Sequence, residues 1–525
     1  MKENSKKAGI HLLEKGKRGI FRVIFSRSGL ILVLLAMQVL FLFSIFHWFE
    51  AFLPHIYGGV VIFTFFMVLY LLNSAMDPTA KITWLVVVML LPVFGALLFL
   101  YTQKNIGHRA LKKRYAELNT ETAETLVQSP ETAQALGQSD PGAAALARYV
   151  QRSGCYPVYD HTAVTYFPLG EDKFREMLIQ LEQAKRFIFL EYFIVDEGEM
   201  WGKILEILAR KAKEGVEVRM LYDGTCELST LPHDYPRRLR SLGIQSKMFA
   251  PIKPFVSTHY NYRDHRKILV IDGETAFNGG INLADEYINK VTRFGHWKDS
   301  AILLRGEAVW SMTVMFLSMW DYCSGWEEDF DLFRPESMPR LPGSGWVQPY
   351  TDTPLDHEKV GQAVYLNMIS RARDYIYITT PYLIVDVATN TALCNAAKAG
   401  VDVRIITPHI PDKRSVFEVT KAHYPPLLEA GVKIYEYTPG FIHAKNFVVD
   451  GRYATVGTVN LDYRSLFLHF EDGVWLCDAP CIADIKADFE KTLEQCEAIS
   501  LRRARHLNIL VQLYRSVLRI FAPLM

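Results

Sequence analysis

Two similar stretches of the chain each open with a histidine and a lysine spaced two residues apart and close on an aspartate. His265 and Lys267 open the stretch HRKILVID, and His443 and Lys445 open the stretch HAKNFVVD. Alternate residues of a β-strand face the same side, so the histidine and lysine of each pair point together. An imidazole beside an ammonium group suits chemistry on an anionic group such as phosphate. Arg266 points to the opposite face, so we exclude it from the site.

Each stretch is followed by a hairpin signal. Asp272 and Asp450 are the first residues of Asp-Gly pairs, which favour two-residue turns. Such a turn predicts Gly280 opposite His265 and Thr458 opposite His443, and a bulge would shift this register by one residue. The two aspartates are candidate catalytic residues, although their position favours a role in fixing the turn. Small residues on the returning strands leave room for a ligand, and Asn282 and Asn460 add donors.

The two stretches are copies within an internal duplication. His443 follows His265 by 178 residues, and the same offset relates GGIN (279–282) to GTVN (457–460). Two such sites related by a two-fold axis can converge on one phosphate. One histidine can then attack phosphorus while the other protonates the leaving alcohol, and the lysines stabilise the developing charge. This chemistry requires neither a metal ion nor a cofactor.

The surrounding pattern is that of a mixed α/β protein. RFIFLEYFIV (186–195) reads as a strand, MWGKILEILARKAKEG (200–215) as an amphipathic helix and VEVRMLYDG (216–224) as another strand. The series recurs at 375–386, 391–400 and 400–408. We therefore predict two mixed-sheet halves with pseudo-two-fold symmetry, at 146–340 and 341–498.

The apolar excess is concentrated near the N-terminus. Runs at 29–49, 57–76 and 82–101 each supply about the 20 apolar residues that a bilayer core needs, so we predict transmembrane helices there. Residues 1–28 carry eight Lys or Arg and favour a cytoplasmic N-terminus. The segment 104–114 is also basic, which argues the other way, and one of the three runs could instead be interfacial or re-entrant.

Two further segments complete the chain. Residues 102–145 are polar and small, and we predict a linker or a loosely packed connecting helix there. Residues 499–525 combine an apolar helical face with basic residues, which suits either a packing helix or contact with anionic lipid headgroups.

Composition restricts the partners. The 58 Lys plus Arg balance 57 Asp plus Glu, so no global field attracts nucleic acid, and a membrane-tethered nuclease is a poor match. The seven cysteines include no CxxC pair, and we predict neither disulfides nor a metal site.

The two HxKxxxxD motifs, each followed by GxxN, resemble the signature of the phospholipase D superfamily. Within it, NYRDHRKILVIDG, FNGGINLADEY and NLDYRS are similar to the bacterial cardiolipin synthases. The resemblance extends over roughly 145–525. Asp264 departs from it, because such sequences commonly carry Asn there, and we expect this change to tune the site without abolishing it.

The resemblance implies a duplicated phospholipase D-like fold in the bacterial plasma membrane. It implies phosphatidyl transfer from one phosphatidylglycerol to another, giving cardiolipin and glycerol. His265 is then the nucleophile and His443 the general acid and base. Asp299 is expected to hold His443, and Glu471 to hold His265. The alternatives are hydrolysis by water and transfer to another alcohol.

Overall fold

The computed structural model of the chain describes residues 39–40, 53–74, 76–103, 108–251, 262–325, 327–336, 341, 345–356 and 358–524. Among these, a larger compact unit contains residues 111–251 and 262–519, and a smaller one contains residues 39–110 and 520–524.

The smaller unit contains three apolar helices, α1 (Leu53–Leu72), α2 (Pro78–Leu90) and α3 (Pro92–Gln103). The prediction of one continuous helix over 82–101 is wrong, because Pro92 lacks an N–H group and starts a new helix. Trp84 of α2 packs edge-on against Phe99 of α3 at 5.2 Å. None of the described helices is both long enough and apolar enough to cross a bilayer. The predicted run at 29–49 lies outside the described residues, apart from 39–40.

Three helices occupy most of the segment predicted as a linker. They are α4 (His108–Thr125), α5 (Pro130–Ser139) and α6 (Pro141–Gly154). Of the two predicted alternatives, the helical one is correct, but the predicted loose packing is wrong, because Leu118, Leu126 and Leu136 are buried. Ser129 caps α5 and Asp140 caps α6, each accepting a backbone N–H at the start of its helix.

The first half is built on a seven-stranded mixed sheet. Its elements are β1 (Thr162–Phe167), α7 (Gly170–Gln183), β2 (Phe187–Tyr192), α8 (Glu199–Lys213), β3 (Glu217–Asp223), α9 (Thr225–Ser229), α10 (Tyr235–Ser241), β4 (Gln245–Phe249), β5 (Arg263–Asp264), β6 (Lys267–Ile271), β7 (Thr275–Gly279), β8 (His296–Lys298), β9 (Ala301–Gly306) and α11 (Ala308–Ser324). The strand order is β1-β9-β7-β6-β2-β3-β4.

The second half repeats this arrangement. Its elements are β10 (Trp346–Asp352), α12 (Val360–Arg371), β11 (Tyr375–Thr379), α13 (Val387–Lys398), β12 (Asp402–Pro408), α14 (Arg414–Glu429), β13 (Lys433–Tyr437), β14 (Gly440–Ile442), β15 (Asn446–Val449), β16 (Tyr453–Gly457), α15 (Tyr463–Phe467), β17 (His469–Cys477), α16 (Cys481–Leu493) and β18 (Cys496–Ala498). The order β10-β17-β16-β15-β11-β12-β13 matches the first sheet strand for strand, and β18 adds one edge strand. The predicted duplicated, mixed-sheet α/β fold is confirmed.

The chain continues beyond β18 in two helices. They are α17 (Leu501–Arg505) and α18 (Ile509–Ile520), so the predicted C-terminal amphipathic helix is interrupted at 506–508. Ile509, Leu510 and Leu513 of α18 are exposed apolar residues.

The two sheets share one hydrophobic core. Val270 and Ala276 come from the first sheet, and Val456 and Val474 come from the second. Helix α11 is apolar on almost all its faces, as expected of a helix buried within such a core.

Both motif strands turn through the predicted Asp-Gly pair, and the register is the one shifted by a residue that a bulge would give, not that of the simple two-residue turn. Asp272 has φ of 56° and Gly273 of 72°, which matches a primed turn. Ile271 nevertheless pairs with Thr275 and leaves Glu274 as an extra residue in the loop. The same extra residue occurs in the second hairpin, where Val449 pairs with Tyr453. The ladders therefore do not place Gly280 opposite His265, or Thr458 opposite His443.

Candidate active site

His265 is attached to the second half by its backbone and by its ring. Strand β5, which precedes it, pairs with the start of β17. The backbone N–H of His265 donates to the carbonyl of Phe470 (2.9 Å), and its Nδ1 lies 2.9 Å from Oε2 of Glu471. Both side chains are buried. The second half therefore sets the position and orientation of the histidine in the first.

His443 has the reciprocal arrangement. Strand β14, which precedes it, pairs with β8 of the first half. The backbone N–H of His443 donates to the carbonyl of Lys298 (2.7 Å), and its Nδ1 lies 2.7 Å from Oδ2 of Asp299. The carboxylate–histidine contacts expected for Asp299 and Glu471 are both present. A neutral imidazole that donates from Nδ1 leaves the lone pair of Nε2 free for chemistry.

The two lysines are buried beside these histidines. Lys267 donates to the carbonyl of His265, and Lys445 donates to that of His443. Lys445 Nζ also lies 2.9 Å from Nδ1 of His443. That nitrogen cannot accept from Lys445 while it donates to Asp299, and the shorter contact to a charged acceptor favours donation to Asp299.

Electrostatics link the two halves. Burial holds the pKa of His265 well below its usual value, and Lys267 and Lys445 lower it further. Burial and then Lys445 lower the pKa of His443 to about 4. Burial also lowers the pKa of Lys445 to about 7 and that of Lys267 to about 8. Charged groups from both halves thus act on one another. An anion bound among them would offset the repulsion between their positive charges.

Asp272 and Asp450 support the backbone. The Asp272 carboxylate accepts N–H donations from Lys185, Arg186 and Phe187 at 2.7–2.9 Å, at the start of β2. Asp450 accepts three equivalent donations at the start of β11. These contacts fix each hairpin to the neighbouring strand, and we interpret both residues as structural.

Gly280 and Asn282 have contacts other than those expected for ligand binding. A Cβ at Gly280 would collide with Oδ1 of Asp299, so the small residue makes room for that carboxylate. Asn282 accepts from the backbone N–H of Ile194 (3.0 Å) and donates to the hydroxyl of Tyr287 (2.7 Å). Its amide therefore supports the loop and the Tyr287 ring.

The corresponding residues of the second half also bind protein atoms. The hydroxyl of Thr458 donates to the carbonyl of Asp472 (3.0 Å) and accepts the N–H of Asp472 (2.9 Å). Asn460 hydrogen-bonds Asp462, and its Oδ1 has no hydrogen-bond partner among the described residues. Direct phosphate binding by these residues stays a prediction.

Arg266 lies outside the site, as expected. Its guanidinium is buried and forms ion pairs with Glu191 (2.6 Å) and Asp264 (3.0 Å). Asp264 therefore belongs to a structural ion-pair network beside the motif.

Sequence reasoning missed several residues around the histidines. The ring of Phe193 lies 5.0 Å from that of His265, and Tyr287 and Trp297 lie 5.6 and 5.5 Å from His443. It also missed His469, whose ring lies 5.6 Å from that of His265. Strand periodicity places His469 on the same face as Glu471, and this signal could have identified it.

The arrangement as a whole defines a class of site. Two histidines, each held by a carboxylate from the opposite half, lie in one electrostatically coupled cluster with two buried lysines. Such a site is equipped for phosphoryl or phosphatidyl transfer through a histidine intermediate.

Comparisons with known proteins identify the family. The profile described as "Cardiolipin synthase, PLD-like domain" matches residues 177–308 and 365–493, and "Phospholipase_D-nuclease N-terminal" matches residues 61–102. A cardiolipin synthase of Geobacillus sp. is 37% identical over 455 residues, covering 85% of this chain and 89% of that protein. The chain therefore belongs to the cardiolipin synthase family of the phospholipase D superfamily.

The chain is also similar to two other proteins. A protein of Streptococcus mutans serotype c, described only as uncharacterized, is 51% identical and covers 87% of this chain and 99% of its own length. The crystal structure of a phosphatidylserine synthase from Haemophilus influenzae covers 72% of this chain and 98% of its own. Its TM-score of 0.56 at 14% identity indicates a shared fold alone.

Proposed function

We propose that the chain is a cardiolipin synthase that transfers the phosphatidyl group of one phosphatidylglycerol to the glycerol hydroxyl of another. The observation that carries the proposal is the reciprocal support of His265 by Glu471 and of His443 by Asp299. Two histidines held in this way can divide nucleophilic and acid–base work on one phosphodiester. Membership of the cardiolipin synthase family supports the choice of substrate.

In the first step, Nε2 of His265 attacks phosphorus and the bond to the headgroup glycerol breaks. The bound anionic phosphodiester favours the protonated form of His443, which donates its Nε2 proton to the departing oxygen, and free glycerol leaves. In the second step, the glycerol hydroxyl of another phosphatidylglycerol gives its proton to His443 and attacks phosphorus. The phosphorus–nitrogen bond breaks, which releases cardiolipin and restores both histidines.

Lys267 and Lys445 stabilise the charge that develops on the phosphoryl oxygens. Their depressed pKa values follow mainly from burial, and both would rise again when an anionic phosphate enters. The lysines thus favour the bound phosphate over water in the site.

The reaction is tested by incubating purified full-length protein, in mixed micelles, with phosphatidylglycerol that is labelled in its headgroup glycerol. Cardiolipin together with labelled free glycerol is the expected result. Phosphatidic acid together with free glycerol would instead indicate hydrolysis, and a new phosphatidyl ester formed only when another alcohol is added would indicate a different acceptor. Absence of any lipid product would refute the proposal.

The order of the histidines is tested by quenching turnover of acyl-labelled phosphatidylglycerol in mildly alkaline detergent, because a phosphorus–nitrogen bond to histidine hydrolyses in acid. We expect covalently labelled protein in the wild type, label that forms and is consumed slowly in His443→Ala, and none in His265→Ala. Labelling that disappears in His443→Ala and persists in His265→Ala would reverse the assignment.

We further place the protein in the bacterial plasma membrane as a multi-pass protein, anchored by its N-terminal apolar runs. Exposed Ile62 and Phe66 on α1 support contact with lipid. Helix α18 supports contact with the membrane surface through its exposed apolar residues and through Arg519. Retention of the full chain in membranes after alkaline carbonate washing is the expected result, and release into the supernatant would contradict it.

A further inference from the structure

A second histidine contacts the carboxylate that holds the proposed nucleophile. Nδ1 of His469 lies 3.5 Å from Oε1 of Glu471, and Nδ1 of His265 lies 2.9 Å from Oε2. The His469 side chain is only 10% exposed and Glu471 is fully buried. Among the described residues, neither ring nitrogen of His469 has a hydrogen-bond partner, nor does Oε1 of Glu471. This buried polar cluster is therefore only partly satisfied.

We propose that His265, His469 and Glu471 form a binding site for a divalent transition-metal ion such as Zn²⁺, and that the bound ion inhibits the enzyme. The inhibitory part rests on the proposed function of His265 as the nucleophile. Two imidazoles and one carboxylate are a donor set that suits zinc. The donors come from different elements, because His265 follows β5 while His469 and Glu471 lie on β17.

The geometry allows one ion to reach all three side chains. One ligand atom from each residue lies within 4.8 Å of the other two. Tetrahedral zinc with bonds of about 2.0–2.2 Å holds its ligand atoms roughly 3.3–3.5 Å apart. Ring rotations that bring the nitrogen atoms about 1 Å closer to the carboxylate oxygen would therefore give separations that one zinc ion can bridge.

Inhibition follows from the tautomer of His265. Without metal, Nδ1–H donates to Glu471, and the lone pair of Nε2 is available to attack phosphorus. A metal ion bound at Nδ1 uses the lone pair of that nitrogen, so the proton of the neutral ring must move to Nε2. The protonated Nε2 has no lone pair for phosphorus. The ion would also occupy the position of the hydrogen bond that orients the ring.

The test uses the full chain in detergent, freed of metal with a chelator. Binding of Zn²⁺ is measured by calorimetry and that of Co²⁺ by visible absorption, both without lipid. The critical variant is His469→Asn. A separate variant, Glu471→Gln, removes another of the proposed ligands. His409→Asn is the matched control, because His409 contacts a single carboxylate, Glu436, at 3.0 Å. Thermal melting checks that each variant is folded.

We expect the wild type and His409→Asn to bind one ion with similar affinity. Loss of one ligand in His469→Asn or Glu471→Gln should weaken binding at least about tenfold. Equal Zn²⁺ affinity in wild type and His469→Asn, or no Zn²⁺ binding by the wild type, would overturn the proposal. Should His469→Asn not fold, the comparison of Glu471→Gln with wild type decides the question.

Activity then links binding to regulation. The Zn²⁺ concentration that halves conversion of phosphatidylglycerol should rise at least about tenfold in His469→Asn, relative to that variant's own metal-free rate. An unchanged inhibition midpoint would refute the inhibitory role. Zn²⁺ binding that weakens in His469→Asn, measured on a protein that converts no lipid, would support the metal site while refuting the proposed function. The two failures are therefore distinguishable.

Discussion

Replacement of Lys173 by methionine should stabilise the protein, and most strongly at neutral and acidic pH. Lys173 lies on α7 and is fully buried. Its ammonium lies 3.3 Å from the carbonyl of Ile281, 3.4 Å from the hydroxyl of Tyr192 and 5.2 Å from the centre of the Tyr192 ring. Among the described residues, no carboxylate forms an ion pair with it. Methionine has a similar shape and no charge to desolvate.

The magnitude follows from the pKa of Lys173. Burial lowers it from 10.5 to about 7, and the attraction of Asp299 only partly offsets this effect. Because the folded-state pKa lies below the unfolded one, the unfolded chain binds more protons between these values, and wild-type stability rises with pH there. At about 1.4 kcal/mol per pKa unit, the cost below pH 7 is about 5 kcal/mol. Loss of two long hydrogen bonds would leave a net gain of about 2–4 kcal/mol.

Thermal unfolding of full-length wild type and Lys173→Met in detergent provides the assay. At about pH 6.5 the variant should melt several degrees higher, at roughly 1–2 °C per kcal/mol for a chain of this size. The difference should shrink as pH rises above about 7 and reverse before about 10.5, where the charge penalty is gone and only the lost hydrogen bonds remain. Lys213→Met, at an exposed residue at the end of α8, controls for the substitution itself. The reasoning would be refuted if the variant melted at a lower temperature than wild type at pH 6.5, or if the difference in melting temperature did not change with pH.

The remaining predictions concern the site. Asp299→Asn should lower kcat about a hundredfold to ten-thousandfold with little change in KM, because His443 loses the charged acceptor at 2.7 Å that orients it; steady-state kinetics with phosphatidylglycerol measure this. Asp272→Asn keeps a residue that tolerates positive φ but loses charge-assisted hydrogen bonds from three N–H groups. The free energy of unfolding should therefore fall by about 1–2 kcal/mol, while kcat/KM of the folded fraction stays within about threefold. Since Lys445 in the free enzyme has a pKa of about 7 and binds phosphate when protonated, kcat/KM should fall as pH rises through this value. Lys445→Arg should move the fall to about 8, the pKa of Lys267.

Local and periodic features of the chain were predictable from the sequence. The His-x-Lys spacing, the Asp-Gly turns and the repeated strand–helix–strand series each depend on a few neighbouring residues, and the structure contains them all. The hairpin register was not predictable, because Glu274 enters the loop as an extra residue and Asp-Gly does not specify the loop length. The tight packing of the helices over 108–154 was missed because Leu136 and Val150 are buried in a core shared with residues of the second half, which lie far along the chain.

Long-range contacts explain the other failures. Gly280 was predicted to leave room for a ligand, but that space accommodates Asp299, which is 19 residues further along the chain. The burial of Lys173 contradicts the usual exposure of lysine, and its sequence neighbours give no sign of it. Such residues become interpretable only when the elements that surround them are known.

The exchange of support between the halves explains why both copies of the motif persist. His265 is bonded through its backbone to Phe470 and through its ring to Glu471, so neither half contains a complete histidine–carboxylate pair of its own. His443 depends on Lys298 and Asp299 in the same way. A change in either β8 or the start of β17 therefore perturbs the histidine of the opposite half. A substitution at Asp299 should accordingly impair both proton transfers by His443, while His265 keeps its hydrogen bond to Glu471. Asp299→Asn should therefore still form protein labelled on His265, which quenching in mildly alkaline detergent traps, but it should form and consume the label more slowly than the wild type. An Asp299→Asn variant that gains and loses the label at wild-type rates would contradict this dependence.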